Sequence, residues 1–211
     1  MVSRMDPYEI MEPISGGAFG AAILVNHKLE KKRYVLKKIR LARKTERCRK
    51  SAHQEMDLIA RIKHLYIVEF KEAWVDKGFY VCIVTGYCQG GDIAALMKKS
   101  NGDFCLNILV ANIRKYLHSK FVLHRDLKCF NIFLTKDHDV CLGDFGLAKT
   151  QKAGDLTSSF QIYNFCCTGC CIYEMAAHRP AFKAFDMDGL ISKISCPSIG
   201  ALPPCYSPSL F

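Results

Sequence analysis

Five elements, in a fixed order along the first 146 residues, constrain this chain more than any other feature. A glycine-rich stretch, Ser15-Gly16-Gly17-Ala18-Phe19-Gly20, follows the weakly alternating apolar segment Tyr8–Ile14. Lys37 stands in Tyr34-Val35-Leu36-Lys37, and Glu55 follows eighteen positions later. Next comes His124-Arg125-Asp126-Leu127-Lys128-Cys129-Phe130-Asn131, and last Asp144-Phe145-Gly146. Each element alone has a bland reading, because charged loop residues are usually solvated. The joint signal is strong because all five occur together and in this order.

Each element also has a chemical reason. Gly17 and Gly20 let backbone amides approach phosphates closely, and Phe19 can close the loop tip. No Gly-Lys-Ser/Thr follows, so the loop is not of the Walker type. A lysine held by a glutamate can bind phosphate oxygens without floating free, which suits Lys37 and Glu55. Asp126 can orient an attacking hydroxyl and accept its proton, while Asn131 and Asp144 offer oxygen ligands for magnesium. The set suits phosphoryl transfer.

Periodicity places these residues on elements. Ala21–Asn26 and Arg33–Ile39 read as a strand hairpin. From Thr45 to Lys63 the pattern is helical, with Ala52, Met56, Ile59, Ala60 and Lys63 on one face. Tyr66–Val75 and Phe79–Thr85 read as two more strands joined by the turn Asp76-Lys77-Gly78. Gln89-Gly90-Gly91-Asp92 is a break, where Asp92 can cap a helix running to about Lys99. A helix over Ile108–Ser119 and short strands at Ile132–Leu134 and Val140–Leu142 follow. Beyond Thr150 the chain reads as irregular until a helical stretch at Gly169–His178, and the Pro- and Ser-rich tail from Cys196 reads as loose. The expectation is an α+β chain in three parts: residues 1–88, 89–195 and 196–211.

Composition removes competing classes. Half the residues are hydrophobic and 24% are charged, which excludes a disordered chain. The net charge of +10 concentrates between Lys28 and Lys50, where aromatics rarely interleave, so it reads as a solvated face and nucleic acid is not the expected partner. No apolar run approaches the roughly 18 residues of a membrane span, and the N-terminus lacks the apolar stretch of a signal peptide. An intracellular chain with no membrane partner is expected. The twelve cysteines then argue against a disulfide framework. The cluster Cys166, Cys167, Cys170, Cys171 lacks a second pair at zinc-ligand spacing and reads as a buried helix face.

The segments YVLKKIRLARKTERCRKSAHQEM, VLHRDLKCFNIFLTKD, LGDFGLAK and CCIYEMAAHRPAFKAFDM resemble eukaryotic protein kinases, and among them the plant-type NIMA-related serine/threonine kinases. The resemblance implies a two-lobed fold with a β-rich N-lobe, a mainly helical C-lobe, and Mg2+ and ATP in the cleft between them. It implies transfer of the γ-phosphate to Ser or Thr of protein substrates, with Lys128 steadying the phosphate. Thr85 is then the gatekeeper and Gly86-Tyr87-Cys88 the hinge that pairs with adenine. Val35 and Phe133 sandwich the ring, Ile14, Gly17, Gly20 and Ala22 border the nucleotide, and Asp92 sits near the ribose. Arg125 implies control by a phosphorylated activation segment, with Thr157, Ser158 and Ser159 as candidates. The family also suggests microtubule-associated partners and a cytoplasmic, nuclear or cytoskeletal location.

The sequence departs from that pattern in the same terms. Ser15 replaces the first glycine of the loop, and a Cβ there is expected to restrict the turn. The stretch between Asp92 and His118 is short for the long helix that precedes the catalytic loop. After Ser159 the substrate-docking segment is missing, and Asn164-Phe165-Cys166 aligns where the family has Asp-x-Trp. The expectation is an incomplete C-lobe. Two activities stay open: a working kinase, and a catalytically impaired nucleotide-binding or regulatory fragment.

Overall fold

Side-chain alternation along five strands separates the two faces of the first sheet. The strands are β1 (Tyr8–Gly17), β2 (Gly20–His27), β3 (Lys32–Arg40), β4 (Phe70–Asp76) and β5 (Tyr80–Gly86), hydrogen-bonded in the order β1-β2-β3-β5-β4. This computed structural model describes residues 3–17, 20–41, 45–99, 116–117, 119–120, 122–137, 139–150, 169–195 and 199–200. Tyr34 and Leu36 of β3 join Tyr8, Val25, Trp74, Cys82 and Val84 in a cluster on one face. Residues two apart share a face, so Val35 and Lys37 take the other side, with Ile83 and Thr85 of β5. Register confirms the neighbourhood: Val35 pairs with Thr85, Lys37 with Ile83, and Ala22 with Lys37.

The second face is covered by α1 (Glu46–Arg61), whose ends carry Glu46 and Arg61 in the sense that complements the helix dipole. Ala52, Glu55, Leu58 and Ile59 are buried along it, and Ile62 continues the stripe just past its end. The stripe differs from the expected one. Met56 and Ala60 are only half-buried, while Lys63 is exposed and lies beyond the helix. The buried line is centred on Glu55 and Leu58, and this brings an acidic side chain into the core.

The strand expected from Tyr66 starts only at Phe70. Residues 66–68 are diverted: Ile67 forms a parallel bridge to Leu142, Val68 N donates to Leu142 O (3.0 Å), and Leu142 N donates to Tyr66 O (2.9 Å). The backbone capacity of this segment goes into joining the first sheet's connection to a strand of the second half.

That second half contains β6 (Gly91–Asp92), α2 (Ile93–Lys99), β7 (Val122–Leu123), a 3-10 turn at Cys129–Asn131, β8 (Ile132–Leu134), β9 (Val140–Leu142) and β10 (Lys149–Thr150). Helices α3 (169–177) and α4 (Met187–Ser195) follow. Sheets β6-β8-β9 and β7-β10 frame the loops between them. Asp92 caps α2 as expected, its Oδ1 accepting from Ala95 N at 2.7 Å. Helix α4 adds an element past α3 that sequence reasoning missed. Asp186 is the signal that could have found it, since its Oδ1 accepts from Gly189 N at 2.7 Å. The two-residue strands β6, β7 and β10 are too short to leave a periodic signal.

One core runs through both halves, from Leu58, Ile59 and Ile62 through Leu142 and Phe145 to Cys171 and Met175 of α3. Cys171 and half-buried Cys170 agree with a helix face in the core. Cys166, Cys167, Thr157, Ser158, Ser159, the Asn164-Phe165-Cys166 segment and the tail (199–200 excepted) lie outside the described residues. So does most of the expected helix at 108–119, of which 116–117 and 119 are described, all helical. Among the described residues no helix is long and apolar enough to cross a membrane.

Candidate active site

Three elements converge on Lys37. Its Nζ lies 2.6 Å from Glu55 Oε1 of α1 and 2.7 Å from Asp144 Oδ1 after β9. Strand alternation aims the lysine at the helix, the buried stripe of α1 presents the glutamate, and the turn after β9 delivers the aspartate. Asp144 has φ +54°, a left-handed conformation that is costly for a residue with a Cβ. Lys37 and the Gly146 N–H, which donates to Asp144 Oδ1 at 3.3 Å, hold it there. Space at Gly146 is tight: a Cβ would fall 3.2–3.4 Å from Asp144 Oδ1, Glu55 Oε2 and Lys37 Nζ, which would have to shift by a few tenths of an ångström.

The electrostatics follow from this contact. Burial presses the Lys37 ammonium toward losing its proton, but Glu55 and Asp144 together outweigh it and hold its pKa above the ordinary value. Burial raises the Glu55 carboxyl despite Lys37. At Asp144 burial acts the same way, yet the Lys37 charge and hydrogen bond win and the carboxyl sits below the ordinary value. Asp144 is therefore the firmly ionised member.

A second cluster forms on the loop between β7 and β8. Lys128 Nζ contacts Asp126 Oδ2 at 2.7 Å, and Asn131 Nδ2 donates to Asp126 O at 2.8 Å and to Asp126 Oδ2 at 3.1 Å. The 3-10 turn sets this geometry, because Asn131 N donates to Lys128 O and Gly143 N donates to Asn131 O, each at 2.9 Å. Arg125 has φ +64°, and its Nε donates to Leu147 O at 2.6 Å. The two clusters are thus tied through the loop that carries Asp144.

The sequence marks His124 only as part of a motif and gives no sign of its depth. It is 4% exposed, with its ring edge-on to Phe145 at 4.9 Å and Nε2–H donating to Gly143 O at 2.9 Å. Its Nδ1 is buried without a hydrogen-bond partner. Burial holds the imidazole below its ordinary pKa of 6.5, so the folded chain keeps it neutral. The unfolded chain takes up the proton first as pH falls, so this contribution is full above 6.5 and is lost progressively below it, down to the lower value at which the folded chain also takes up the proton. The part of the melting temperature due to His124 should therefore be level above that pH and decline below it, and His124→Phe should flatten part of the decline in a pH series of thermal melts.

The residues expected to border a nucleotide lie on the first sheet, in residues 86–88 and on β8. Ala22, Val35, Thr85, Tyr87, Cys88 and Phe133 are half-buried, and Ile14 is 50% exposed at an irregularity of β1. Phe133 lies against Gly143, where a Cβ would come within 2.8 Å of the ring. Asp92, expected near the ribose, uses one oxygen to cap α2. Gly17 and Gly20 close the β1–β2 pair. The concern over Ser15 is corrected: it is a strand residue opposite Ala22, just past an irregularity of β1, and is not among the positive-φ residues, so its Cβ meets no turn. Gly20 carries the real constraint, since a Cβ there would lie 2.3 Å from Lys38 O. Gly20→Ala should cost about 1–3 kcal/mol by overpacking. Gly16→Ala, whose Cβ meets nothing within 4 Å, should melt like the parent chain.

The protein kinase domain profile matches residues 8–168. The chain is 52% identical over 230 residues to serine/threonine-protein kinase Nek3 of Oryza sativa subsp. japonica, with 96% of this chain and 39% of that protein covered. Identity to Nek6 of the same organism is 45% over 232 residues, covering 98% and 43%. Nek7 of Arabidopsis thaliana is 38% identical over 235 residues, covering 98% and 40%. The chain spans about two fifths of the length of these curated relatives. The match to Nek3 runs over 230 positions while the chain has 211, so the relative carries stretches inside the matched region that this chain lacks. With its paired ion clusters on a β-rich lobe and a shortened helical one, the chain belongs to the protein kinase domain family, and its likeness there is to the plant NIMA-related serine/threonine kinases.

Proposed function

We propose that this chain transfers the terminal phosphate of ATP to serine and threonine hydroxyls of protein substrates, with magnesium as the metal. The observation that carries this reading is the three-way contact of Lys37 with Glu55 and Asp144, set beside the Asp126–Lys128–Asn131 cluster. Kinship alone would give the class; the assembled contacts support an intact chemical centre in the shorter chain.

The side chains fit the groups they would hold. Asn131 spends its Nδ2 on Asp126, which leaves its carbonyl oxygen for a cation. With the Asp144 carboxylate this makes a hard-oxygen donor pair of the kind magnesium takes, the remaining positions going to phosphate and water. Among the described residues there is no group of three or more His, Cys, Asp and Glu that could hold a metal ion. Bound magnesium would neutralise charge that develops on the phosphate oxygens.

The protein's own residues do the rest. Lys37, fixed between two carboxylates, presents a positive charge to phosphate from a set position. Asp126 has Oδ2 engaged by Lys128 and Asn131, which leaves Oδ1 to receive the hydroxyl proton of a serine or threonine. Lys128 faces the same carboxylate and can steady the phosphate as the proton moves. Protein substrates rest on the match to the protein kinase domain family. Microtubule-associated targets and a cytoplasmic, nuclear or cytoskeletal site of action rest on family resemblance.

Melting the purified chain with and without Mg-ATP tests the binding part. A nucleotide at about 100 times its Kd should stabilise the fold by about 2.7 kcal/mol. The shift should vanish with EDTA and shrink strongly in Asp144→Asn. An equal shift with and without the metal would overturn the assigned magnesium ligands.

A further inference from the structure

The turn that carries Asp144 is held by two side chains besides Lys37, each on a backbone carbonyl. Ser51 Oγ of α1 donates to Gly146 O at 3.5 Å, and Arg125 Nε donates to Leu147 O at 2.6 Å. The two carbonyls are successive, two and three residues after Asp144. Ala148 N donates back to Phe145 O at 2.9 Å and closes the turn on itself. The phosphoryl-transfer chemistry gives Ser51, a half-buried residue, no part of its own.

Ser51 stands four residues before Glu55 in α1, so the two share one face of the helix. That face meets the turn twice. Glu55 does so through Lys37, which it shares with Asp144, and Ser51 does so directly on the Gly146 carbonyl. A Cβ on Gly146 would stand 3.3 Å from Glu55 Oε2 and 3.4 Å from Lys37 Nζ, which sets this peptide inside the three-way contact. Restraint matters here because the left-handed backbone of Asp144, φ +54°, persists only where its surroundings hold it. Lys37 and the Gly146 N–H act on the carboxylate itself, whereas Ser51 acts on the backbone that aims it.

We propose that Ser51 is a positioning residue for Asp144: its hydroxyl ties the α1 face that bears Glu55 to the backbone after Asp144, and so sets how well that carboxylate serves a magnesium ion. The bond is neutral and long, so its influence is modest beside that of Lys37. Losing a neutral hydrogen bond at the weak end of the usual range should shift an equilibrium roughly two- to fivefold. The link to magnesium rests on the reading of Asp144 as a ligand of the ion; the tie between α1 and the turn does not.

The test compares the parent chain with Ser51→Ala, which removes the hydroxyl, and Ser51→Thr, which keeps one. Hydrogen exchange is first followed without nucleotide in the peptide spanning residues 144–148, whose Gly146 and Ala148 amides are bonded within the turn. Exchange there should be roughly two- to fivefold faster in Ser51→Ala and at the parent rate in Ser51→Thr. Magnesium is then titrated at saturating ATP with the melting shift as readout. The half-maximal magnesium concentration should rise by the same factor in Ser51→Ala and return in Ser51→Thr. The nucleotide-free melt should stay with the parent, because alanine is the better helix former and α1 is not weakened. Unchanged exchange at 144–148, faster exchange spread over every peptide, or a threonine variant that behaves like alanine would each overturn the tie. Faster local exchange with an unchanged magnesium midpoint would overturn the positioning of Asp144. A parent chain with no Mg-ATP shift would sink the magnesium reading and the positioning with it, while the exchange result stands for the tie.

Discussion

An Asp126→Asn chain should lose phosphate transfer by roughly 10²–10⁴-fold, the range typical of a positioned general base, while still gaining thermal stability from Mg-ATP. The substitution is nearly isosteric. The introduced amide can still present a carbonyl oxygen to Lys128 and Asn131, so the loop that binds Asp126 through 2.7 and 3.1 Å contacts should keep its shape. The loss is of charge and proton affinity at the oxygen that would meet the hydroxyl. Comparing labelled-phosphate transfer with the Mg-ATP melting shift separates these effects. If both fall together, Asp126 holds the site together instead of moving a proton. If transfer is unchanged, the activity belongs to another protein.

The largest stability effect should follow Lys37→Met. This substitution removes the cation and leaves Glu55, 7% exposed, as a buried carboxylate without its partner. Breaking one side of a buried pair costs about 3–5 kcal/mol. Lys37 keeps a 35% exposed side chain, so the lower end, about 3 kcal/mol, is expected. At roughly 2–4 °C per kcal/mol for a chain of this size, melting should fall by about 6–12 °C. The double variant Lys37→Met/Glu55→Leu should recover most of that loss, because no charge is then left in the core. Glu55 already has a raised pKa, so the deficit of the single variant should also shrink as pH falls into the carboxyl range and the side chain takes up a proton. A single variant that melts with the parent would mean that water solvates Glu55 and that the ion pair is not a structural element.

Much of this site was legible in the sequence because it rests on local rules. The order of motifs put Lys37 on a strand and paired it with Glu55, while its second partner, Asp144, was expected only as a metal ligand. The cap at Asp92 was also a local signal. The features that escaped are the ones formed between distant segments. Ile67 bridges Leu142, and the Cys141 thiol reaches Leu65 O at 3.9 Å, across chain separations that leave no periodic trace. Periodicity likewise says nothing about the depth of a loop residue, so the burial of His124 was invisible. Ser15 shows the reverse error. A glycine position in a familiar pattern suggested strain, yet the backbone there is ordinary strand, and the steric demand falls on Gly20 instead.

The chain's shortness decides which experiment matters most. Its match to a longer relative passes over stretches it lacks, and four apolar side chains, Phe185, Ile191, Ile194 and Ile199, stand exposed near the last described residues. The ion clusters nevertheless sit on elements that share one core with α1 and α3. What has to hold is that this core suffices to support phosphate transfer.

The decisive experiment incubates the purified chain with terminally labelled ATP, magnesium and a generic protein substrate, followed by phosphoamino-acid analysis. Label is expected on serine and threonine from the parent chain, with only background from Asp126→Asn. Absence of label from a parent chain that Mg-ATP measurably stabilises would overturn this function, and would show a nucleotide site without phosphate transfer.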